Sequence, residues 1–338
     1  MAAFNPNQAD ETVLEEMERT KWKRVGKELL KDWRLYLLLV PMLLFLICFK
    51  YLPITDIVSG FRDGATGSLT ENEWAGLKWA RILFTGAYSK EFWTAFRNTF
   101  VNSMYGLIFG FPIPIFLALL FSEVKNAAYR SFLQVCAYFP HFISTVVVTS
   151  IITMWCYRGD SEIAPGLLTQ VFNSLGFFRD GENSILDTPR FFRPLYQVSG
   201  IWEGSGYGSI VYFAAVMAIS PTNYEAARID GASKMQQIRY VTFPGMAPTL
   251  TIMLIMRIGQ ILNIGYEKII LLTLDRVPTW ETADVISSFV YRYSGRAEGY
   301  SAFTQMGVIA DLMNSIIAMC LVLGANAISR RVSDTTLF

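Results

Sequence analysis

Charged residues are scarce in this sequence. Asp, Glu, Lys and Arg make up 17% of the 338 residues, and hydrophobic residues make up 52%, whereas soluble proteins carry about 25% charged residues. A chain with so little charge is poorly suited to a surface surrounded by water, so membrane insertion is the first hypothesis. The apolar content excludes disorder for most of the chain. The formal net charge of +1 provides no basic field that would attract nucleic acid.

Histidine and cysteine are also rare. His141 is the single histidine, so no H-E-x-x-H motif or histidine-rich metal site can be built, and we expect a structural role for it. Four cysteines lie in or beside apolar stretches without a C-x-x-C pair. We predict that they are buried small hydrophobic residues rather than a disulfide framework. These cysteines are Cys48, Cys136, Cys156 and Cys320.

Two catalytic motifs are missing. The sequence has no G-x-x-x-x-G-K-[ST] phosphate loop, so the chain itself is not expected to hydrolyse ATP. It also has no G-x-S-x-G elbow, which argues against an intramembrane hydrolase. We therefore expect neither an enzyme nor a bound cofactor or metal.

Long hydrophobic runs dominate what is present. About 20 apolar residues suffice to span a bilayer as a helix, and six runs approach or exceed that length. They are 35–53, 99–121, 132–156, 195–219, 249–274 and 302–328. The sequence thus predicts an all-α integral membrane protein with six transmembrane helices. The basic segment 19–34 abuts the first run, and Arg330 and Arg331 abut the last, which predicts that both termini are cytoplasmic.

The first 34 residues are predicted to form a cytoplasmic segment. Val25, Leu29 and Trp33 recur at helical spacing on one stripe, and the other faces carry Lys and Arg. This pattern favours an amphipathic helix over 11–34 lying on the membrane surface, with a solvated stalk helix as the alternative. The transmembrane domain then covers 35–331, and 332–338 form a short tail.

The polar stretch 220–248 has the pattern helix, break, helix. Ser220 can cap a first helix that begins at Pro221, and Gly231 suits the left-handed residue after its end. Ser233 and Gln236 have the spacing of a capping box for a second helix. From physics alone, the stretch is either a docking element on the cytoplasmic face or an ordinary connector between spans.

A family resemblance favours docking. The run Glu225-Ala226-Ala227, followed by Asp230-Gly231-Ala232 and Phe243-Pro244, resembles the EAA loop of binding-protein-dependent ABC importer permeases. Other stretches resemble the carbohydrate uptake type 1 permeases, in particular the LplB-like branch. They are 92–102, 138–147, 200–212, 265–272 and 283–293.

The resemblance implies a MetI-like permease fold with an extra N-terminal helix, in a bacterial cell membrane. It implies import of a sugar, with an oligosaccharide as the expected cargo, together with an extracytoplasmic sugar-binding protein and a second homologous permease subunit. ATP and Mg would be bound by a partner ATPase dimer. The helix carrying the EAA motif would dock in a groove of that ATPase. The residues carried over to this role are Glu225, Ala226, Ala227, Asp230 and Gly231.

Polar side chains inside the apolar runs are candidates for the sugar path, since hydroxyls are bound by amide, carboxylate and aromatic groups. The alternative is hydrogen bonding between helices. The candidates are Trp202, Glu203, Tyr207, Asn263, Tyr266 and Glu267. Arg257 is either functional or extends to the cytoplasmic surface. Gly106 and Gly110 form a G-x-x-x-G pair that would let another helix approach.

A transporter driven by an ion gradient is the alternative function. It would require carboxylates at the membrane midplane and often a repeated half. Glu203 and Glu267 are the nearest candidates for such carboxylates, and no internal repeat is evident.

Overall fold

The computed structural model describes residues 31–63, 73–160, 163–179, 181–182, 184–273, 279–293 and 304–332. The chain divides into two compact units, Met1–Val58 and Ser59–Phe338. The predicted amphipathic helix over 11–34 lies almost entirely outside the described residues, as does nearly all of the predicted tail 332–338.

The described chain is mostly helical. The α-helices are α1 Trp33–Leu46, α2 Lys78–Thr85, α3 Ser89–Tyr105, α4 Pro112–Glu123, α5 Ala127–Tyr138, α6 Thr145–Trp155, α7 Leu167–Ser174, α8 Pro189–Met217, α9 Pro221–Ile229, α10 Lys234–Gln237, α11 Phe243–Gly259, α12 Glu267–Thr273, α13 Trp280–Ala283, α14 Ile286–Tyr291 and α15 Thr304–Val332. Two short strands, β1 Arg62–Asp63 and β2 Glu73–Trp74, pair antiparallel with Arg62 opposite Trp74. This small hairpin is the one departure from an all-α chain within the described residues.

Three π-helical turns and two 3₁₀ turns extend these helices. The π turn Gly106–Gly110 joins α3 to α4, and Ile238–Thr242 joins α10 to α11. The π turn Ile47–Tyr51 and the 3₁₀ helix Leu52–Phe61 continue α1, and the 3₁₀ turn Phe139–Phe142 follows α5. These turns therefore join neighbouring α-helices into longer helical rods.

Within the described residues, four rods are long and apolar enough to cross a membrane. They are Trp33–Phe61, Ser89–Glu123, Lys234–Gly259 and Thr304–Arg331. The pair Ala127–Phe142 and Thr145–Trp155 passes the same test together but is bent by 90°. Helix α8 has 29 residues, yet the predicted fourth run that it contains is not apolar enough to join this group. Four or five candidate spans are therefore found, rather than the six predicted.

Two predicted spans are not straight helices. The run 132–156 breaks between α5 and α6, where Ile143 is extended and Ser144 accepts a hydrogen bond from the Val146 amide as the cap of a new helix. The run 249–274 breaks between Gly259 and Glu267. The helix that contains its first part begins at Lys234, so the predicted second helix of 220–248 and this run form one continuous rod. Hydropathy finds apolar runs, but caps decide where helices restart.

The helix–break–helix prediction for 220–248 is confirmed in detail. Helix α9 starts with Pro221 in its first turn, Gly231 has a φ of 75°, and Ser233 and Gln236 form the capping box of α10. Ser220 is the N-cap residue, but its hydroxyl pairs with the Thr222 hydroxyl at 2.7 Å rather than with a backbone amide.

Helices α4 and α8 pack along each other to form one of the hydrophobic clusters. The buried residues of this cluster are Ile115, Ala118, Tyr212, Val216 and Met246. Many large apolar side chains on the outward faces remain exposed, as expected for helices whose solvent is lipid. The prediction of buried cysteines is right only for Cys156. Cys48, Cys136 and Cys320 are exposed on the chain itself, because they lie on outward faces of apolar helices.

Candidate functional site

A polar cavity lies between the α3–α4 rod, α8, α11 and α12, all within Ser59–Phe338. A chamber of about 480 Å³ and a smaller one of about 230 Å³ are neighbours that share part of their lining, and we call the two together the central cavity. The larger chamber has a volume within the usual range of small-ligand sites. The shared lining residues are Gly106, Tyr196, Gln197, Arg257 and Gln260.

Gly106 and Gly110 make room for a guanidinium group. A Cβ at Gly106 would lie 3.6 Å from Nη2 of Arg257 and 3.7 Å from Oε1 of Gln197, and a Cβ at Gly110 would lie 4.0 Å from the same Nη2. The π turn that contains both glycines faces α8. π turns inside α-helices are frequent at functional sites. The predicted G-x-x-x-G pair thus borders the cavity, and the polar ends of the Arg257 and Gln197 side chains lie beside it.

One wall of the cavity is a polar contact between α3 and α8. Asn98 accepts a hydrogen bond from Nη2 of Arg193 at 2.9 Å, and one turn along, the backbone carbonyl of Asn102 accepts one from Nε2 of Gln197 at 2.7 Å. Asn98 also donates to the Glu281 carbonyl at 2.9 Å. Polar residues spaced by four on both helices therefore hold this wall together.

Glu203 and Lys268 form an ion pair on the opposite wall. Nζ of Lys268 lies 2.9 Å from Oε2 of Glu203, and the two side chains are only 12% and 19% exposed. The Thr145 hydroxyl adds a contact of 3.3 Å to the same carboxylate. A Cβ at Gly200 would lie 3.9 Å from the Lys268 ammonium. The pair therefore links α8 to α12 and neutralises both charges at the cavity surface.

Breaking this pair should destabilise the protein. We expect Glu203→Ala to lower the melting temperature and the yield of purified transporter, because removing one partner of a buried pair costs at most about 3–5 kcal/mol. Combining Glu203→Gln with Lys268→Met should recover most of the loss, since no unpaired charge remains. Glu267→Gln is the matched control, because Glu267 is exposed one residue from Lys268. Equal losses in Glu203→Ala and Glu267→Gln would contradict this account.

The predicted path residues separate into two groups. Glu203 and Asn263 line the central cavity. Trp202 and Tyr207 are exposed on the outer side of α8, and Tyr207 stacks on His141 with ring centroids 4.1 Å apart. Tyr266 stacks on Tyr291 at 4.7 Å, and Glu267 is exposed. The predicted path residues that do not line the cavity are therefore Trp202, Tyr207, Tyr266 and Glu267.

Sequence reasoning did not single out several other polar lining residues. They include Asn102, Ser103, Gln197, Ser205, Gln260 and Lys268. One available signal was the spacing of Arg193 and Gln197 in α8, opposite Asn98 and Asn102 in α3. The spacing alone could not reveal that these two helices are neighbours.

Arg257 belongs to the cavity rather than to the membrane surface beside α9. It lies near the far end of the 26-residue rod Lys234–Gly259, roughly 35 Å from Lys234 at about 1.5 Å per residue. That distance is far beyond the reach of an arginine side chain, so Arg257 does not extend back to Lys234. Its guanidinium lies over the two glycines instead.

The segment α9–α10 presents the EAA residues at the surface. Glu225, Ala226, Asp230 and Gly231 are exposed, and Ala227 is half-buried. Two contacts anchor the segment. Lys234 binds Glu123 at the end of α4 with a distance of 2.7 Å, and the Tyr224 and Thr242 hydroxyls lie 3.0 Å apart.

Two apolar side chains beside the EAA residues were not predicted as part of the docking surface. Ile229 is 86% exposed and Met235 is 72% exposed. Ile229 ends α9 and Met235 lies in α10, so both border the turn between these two short helices. Exposed apolar residues in such a place are typical of a contact surface for a partner.

A second cavity, of about 620 Å³, is larger than either chamber of the central cavity but differs in chemistry. It lies between α6, the loop before α7 and α12, and its lining contains no charged residue among the described positions. It does not include any of the predicted site residues. The central cavity therefore remains the candidate site.

The chain is similar to known transport proteins. The family described as "Binding-protein-dependent transport system inner membrane component" matches residues 110–275. "Protein LplB" of Bacillus subtilis (strain 168) is 33% identical over 98% of this chain and 99% of its own length. The "Polygalacturonan/rhamnogalacturonan transport system permease protein YteP" of the same organism is 32% identical over 95% of both chains.

A solved structure extends the similarity to three dimensions. It is a bacterial alginate ABC transporter in complex with an alginate pentasaccharide-bound periplasmic protein. One of its chains matches with a TM-score of 0.79 and 35% identity, over 93% of this chain and 100% of that chain. The helical fold expected from the sequence is therefore shared over nearly the whole length.

Proposed function

This chain belongs to the family of binding-protein-dependent transport system inner membrane components, and from this premise we propose that it forms half of the sugar pathway of an ABC importer. Within that family it is a permease subunit, not an enzyme. The proposed cargo is an oligosaccharide. The observation that carries the proposal is the central cavity, whose wall of amides, hydroxyls and cations is suited to a ligand rich in hydroxyl groups.

The remaining parts of the importer must come from partners. An extracytoplasmic binding protein would deliver the sugar, as the complex solved for the alginate transporter supports. The chain has no phosphate-binding loop, so ATP and Mg would be bound by an ATPase dimer. A second homologous permease would supply the other half of the pathway, and the transporter would alternate between outward and inward access.

The proposed topology keeps six spans with both termini in the cytoplasm. Helix α8 would be the sixth, because its 29 residues exceed the roughly 20 needed to span. A polar helix is tolerated within a membrane when it lies inside a bundle and lines a cavity. Glu203, Gly204 and Ser205 of α8 all line the central cavity.

Cysteine labelling tests this topology. In a chain whose native cysteines are replaced, Asn173→Cys should react with an impermeant maleimide from outside intact cells. Lys125→Cys, between α4 and α5 and outside the docking segment, should react only after permeabilisation. Both positions are exposed, so access to the reagent decides the result, and the reverse pattern would overturn the proposed orientation.

An ion-gradient mechanism has less support. Glu203, one of its two candidate carboxylates, is paired with Lys268, and Glu267, the other, does not line the cavity. Reconstituted vesicles separate the two mechanisms. We expect labelled oligosaccharide to accumulate only with ATP and the binding protein, and to fall to background without either. Uptake that follows a proton or sodium gradient without ATP would refute the importer assignment.

A further inference from the structure

The central cavity carries a net positive charge. Among its lining residues the acidic side chain is Glu203 and the basic ones are Arg257 and Lys268. Glu203 and Lys268 neutralise each other across 2.9 Å. Arg257 has no ion pair or hydrogen bond among the described residues. Arg257 is exposed on the chain itself and lines both chambers of the cavity, and a function is the default explanation for a charge within a membrane-spanning helix.

The site beside Arg257 also contains polar atoms without partners. Asn102 is only 1% exposed, yet its side-chain Oδ1 and Nδ2 have no hydrogen-bond partner within the described part of the chain, and the same holds for the Ser103 hydroxyl. Both residues line the smaller chamber together with Arg257. Buried amides and hydroxyls are nearly always satisfied in proteins. These atoms have almost no accessible surface, so a rotation of the Asn102 side chain into the chamber would give its amide a ligand to bind.

We propose that the central cavity recognises a carboxylated saccharide, with Arg257 binding the carboxylate of a uronic acid unit and Asn102 binding a neighbouring hydroxyl. A planar guanidinium matches a carboxylate with two parallel hydrogen bonds. An amide offers both a donor and an acceptor to a sugar hydroxyl. The inference rests on the proposed function and specifies its cargo.

The glycines support the same assignment. Cβ atoms at Gly106 and Gly110 would lie 3.6 and 4.0 Å from Nη2 of Arg257, so the two glycines keep side chains away from this side of the guanidinium. A purely structural arginine at the end of α11 would serve the helix carbonyls there. Such a role would not distinguish acidic cargo from neutral cargo, and this difference provides the test.

The test uses the complete transporter, with its partner subunits and binding protein, in vesicles. The labelled probes are galacturonate and alginate trisaccharides, their methyl esters, and a neutral arabinose trisaccharide. We expect Arg257→Gln to lower uptake of the acidic probes at least about tenfold, as loss of a hydrogen bond between charged groups implies. Uptake of the esters and the neutral probe should fall much less, so the ratio of acidic to neutral uptake should drop. Arg257→Lys should restore part of the acidic uptake. Arg81→Gln, at an exposed position outside the cavity lining, is the matched control.

Two other results have distinct meanings. If wild-type vesicles take up neutral saccharides and Arg257→Gln changes every probe equally, this inference fails while the proposed function stands. If wild-type vesicles take up no saccharide at all, the proposed function fails with it. Because all samples contain the same binding protein, its own selectivity cancels in the ratio of variant to wild type. Normal uptake of the acidic probes by Arg257→Gln would reject Arg257 as their ligand, whatever the esters do.

Discussion

Gly206→Ala is expected to abolish accumulation of the folded transporter. Gly206 is buried in α8, and a Cβ there would lie 1.9 Å from the carbonyl oxygen of Ala137 and 2.5 Å from its carbon. These are backbone atoms of α5, so no side-chain rotation can relieve the clash, and the two helices would have to separate by more than about 1 Å. Overpacking of cores costs roughly 1–3 kcal/mol and sometimes more, and a backbone clash of this size should lie at or above the upper end.

Gly204→Ala is the matched control for this prediction. Gly204 lies in the same helix, two residues away, and a Cβ there meets nothing within 4 Å. The change should be neutral or slightly stabilising, because alanine favours helices over glycine. Membrane levels measured by immunoblot and monodispersity after detergent extraction would compare the variants. Normal levels of monodisperse Gly206→Ala protein would show that α5 and α8 are not in contact there.

The sequence could indicate that the glycines of α8 matter, but not which one. Gly204, Gly206 and Gly208 form a visible cluster, and small residues at helix interfaces are the rule in membranes. Their different surroundings depend on the direction of α5, which follows from the bend after Phe142. That bend is set by the Ser144 cap, a local signal inside a run that is continuous by hydropathy.

Candidate site residues were predictable where one helix decides their position. The turn at Gly231 and the capping box at Ser233 depend only on local backbone chemistry, so the helix–break–helix structure followed from the sequence. The cavity depends on which helices are neighbours. Tyr266 looked equivalent to Asn263 as a path residue, yet the break after Gly259 turns its ring onto Tyr291 while Asn263 remains in the lining.

Arg257 illustrates the same limit. Its span was predicted to start at residue 249, whereas the capping box at Ser233 and the π turn make one continuous rod from Lys234. With the span starting at residue 249, a functional role for Arg257 and extension of its side chain to the cytoplasmic surface were equally plausible. With the earlier start, the side chain is too far from Lys234 to reach it, and its guanidinium lies beside the two glycines of the π turn Gly106–Gly110 in the cavity lining.

Gly231→Val is expected to uncouple ATP hydrolysis from sugar uptake. Gly231 has a φ of 75°, and a residue with a Cβ would strain that turn by roughly 1–2 kcal/mol. Space is not the obstacle, because a Cβ added at this position would meet nothing within 4 Å. The strain would be relieved by reorienting α9 relative to α10, and α9 carries Glu225 and Ala226 on its exposed surface. Since α9 follows α8 and α10 leads into α11, the segment connects the proposed docking surface to two walls of the central cavity.

Gly181→Val separates this effect from backbone strain in general. Gly181 has a similar φ of 86° and equally free surroundings, but it lies in the loop between α7 and α8, outside the docking segment. Both variants should accumulate normally, and only Gly231→Val should lose uptake per ATP hydrolysed in vesicles containing the binding protein. Ala227→Trp should behave like Gly231→Val, because a bulky ring would block close approach of the ATPase. If Gly231→Val and Ala227→Trp both transport like wild type, α9 and α10 are only a connector between helices, and the energy of ATP must enter the membrane domain elsewhere.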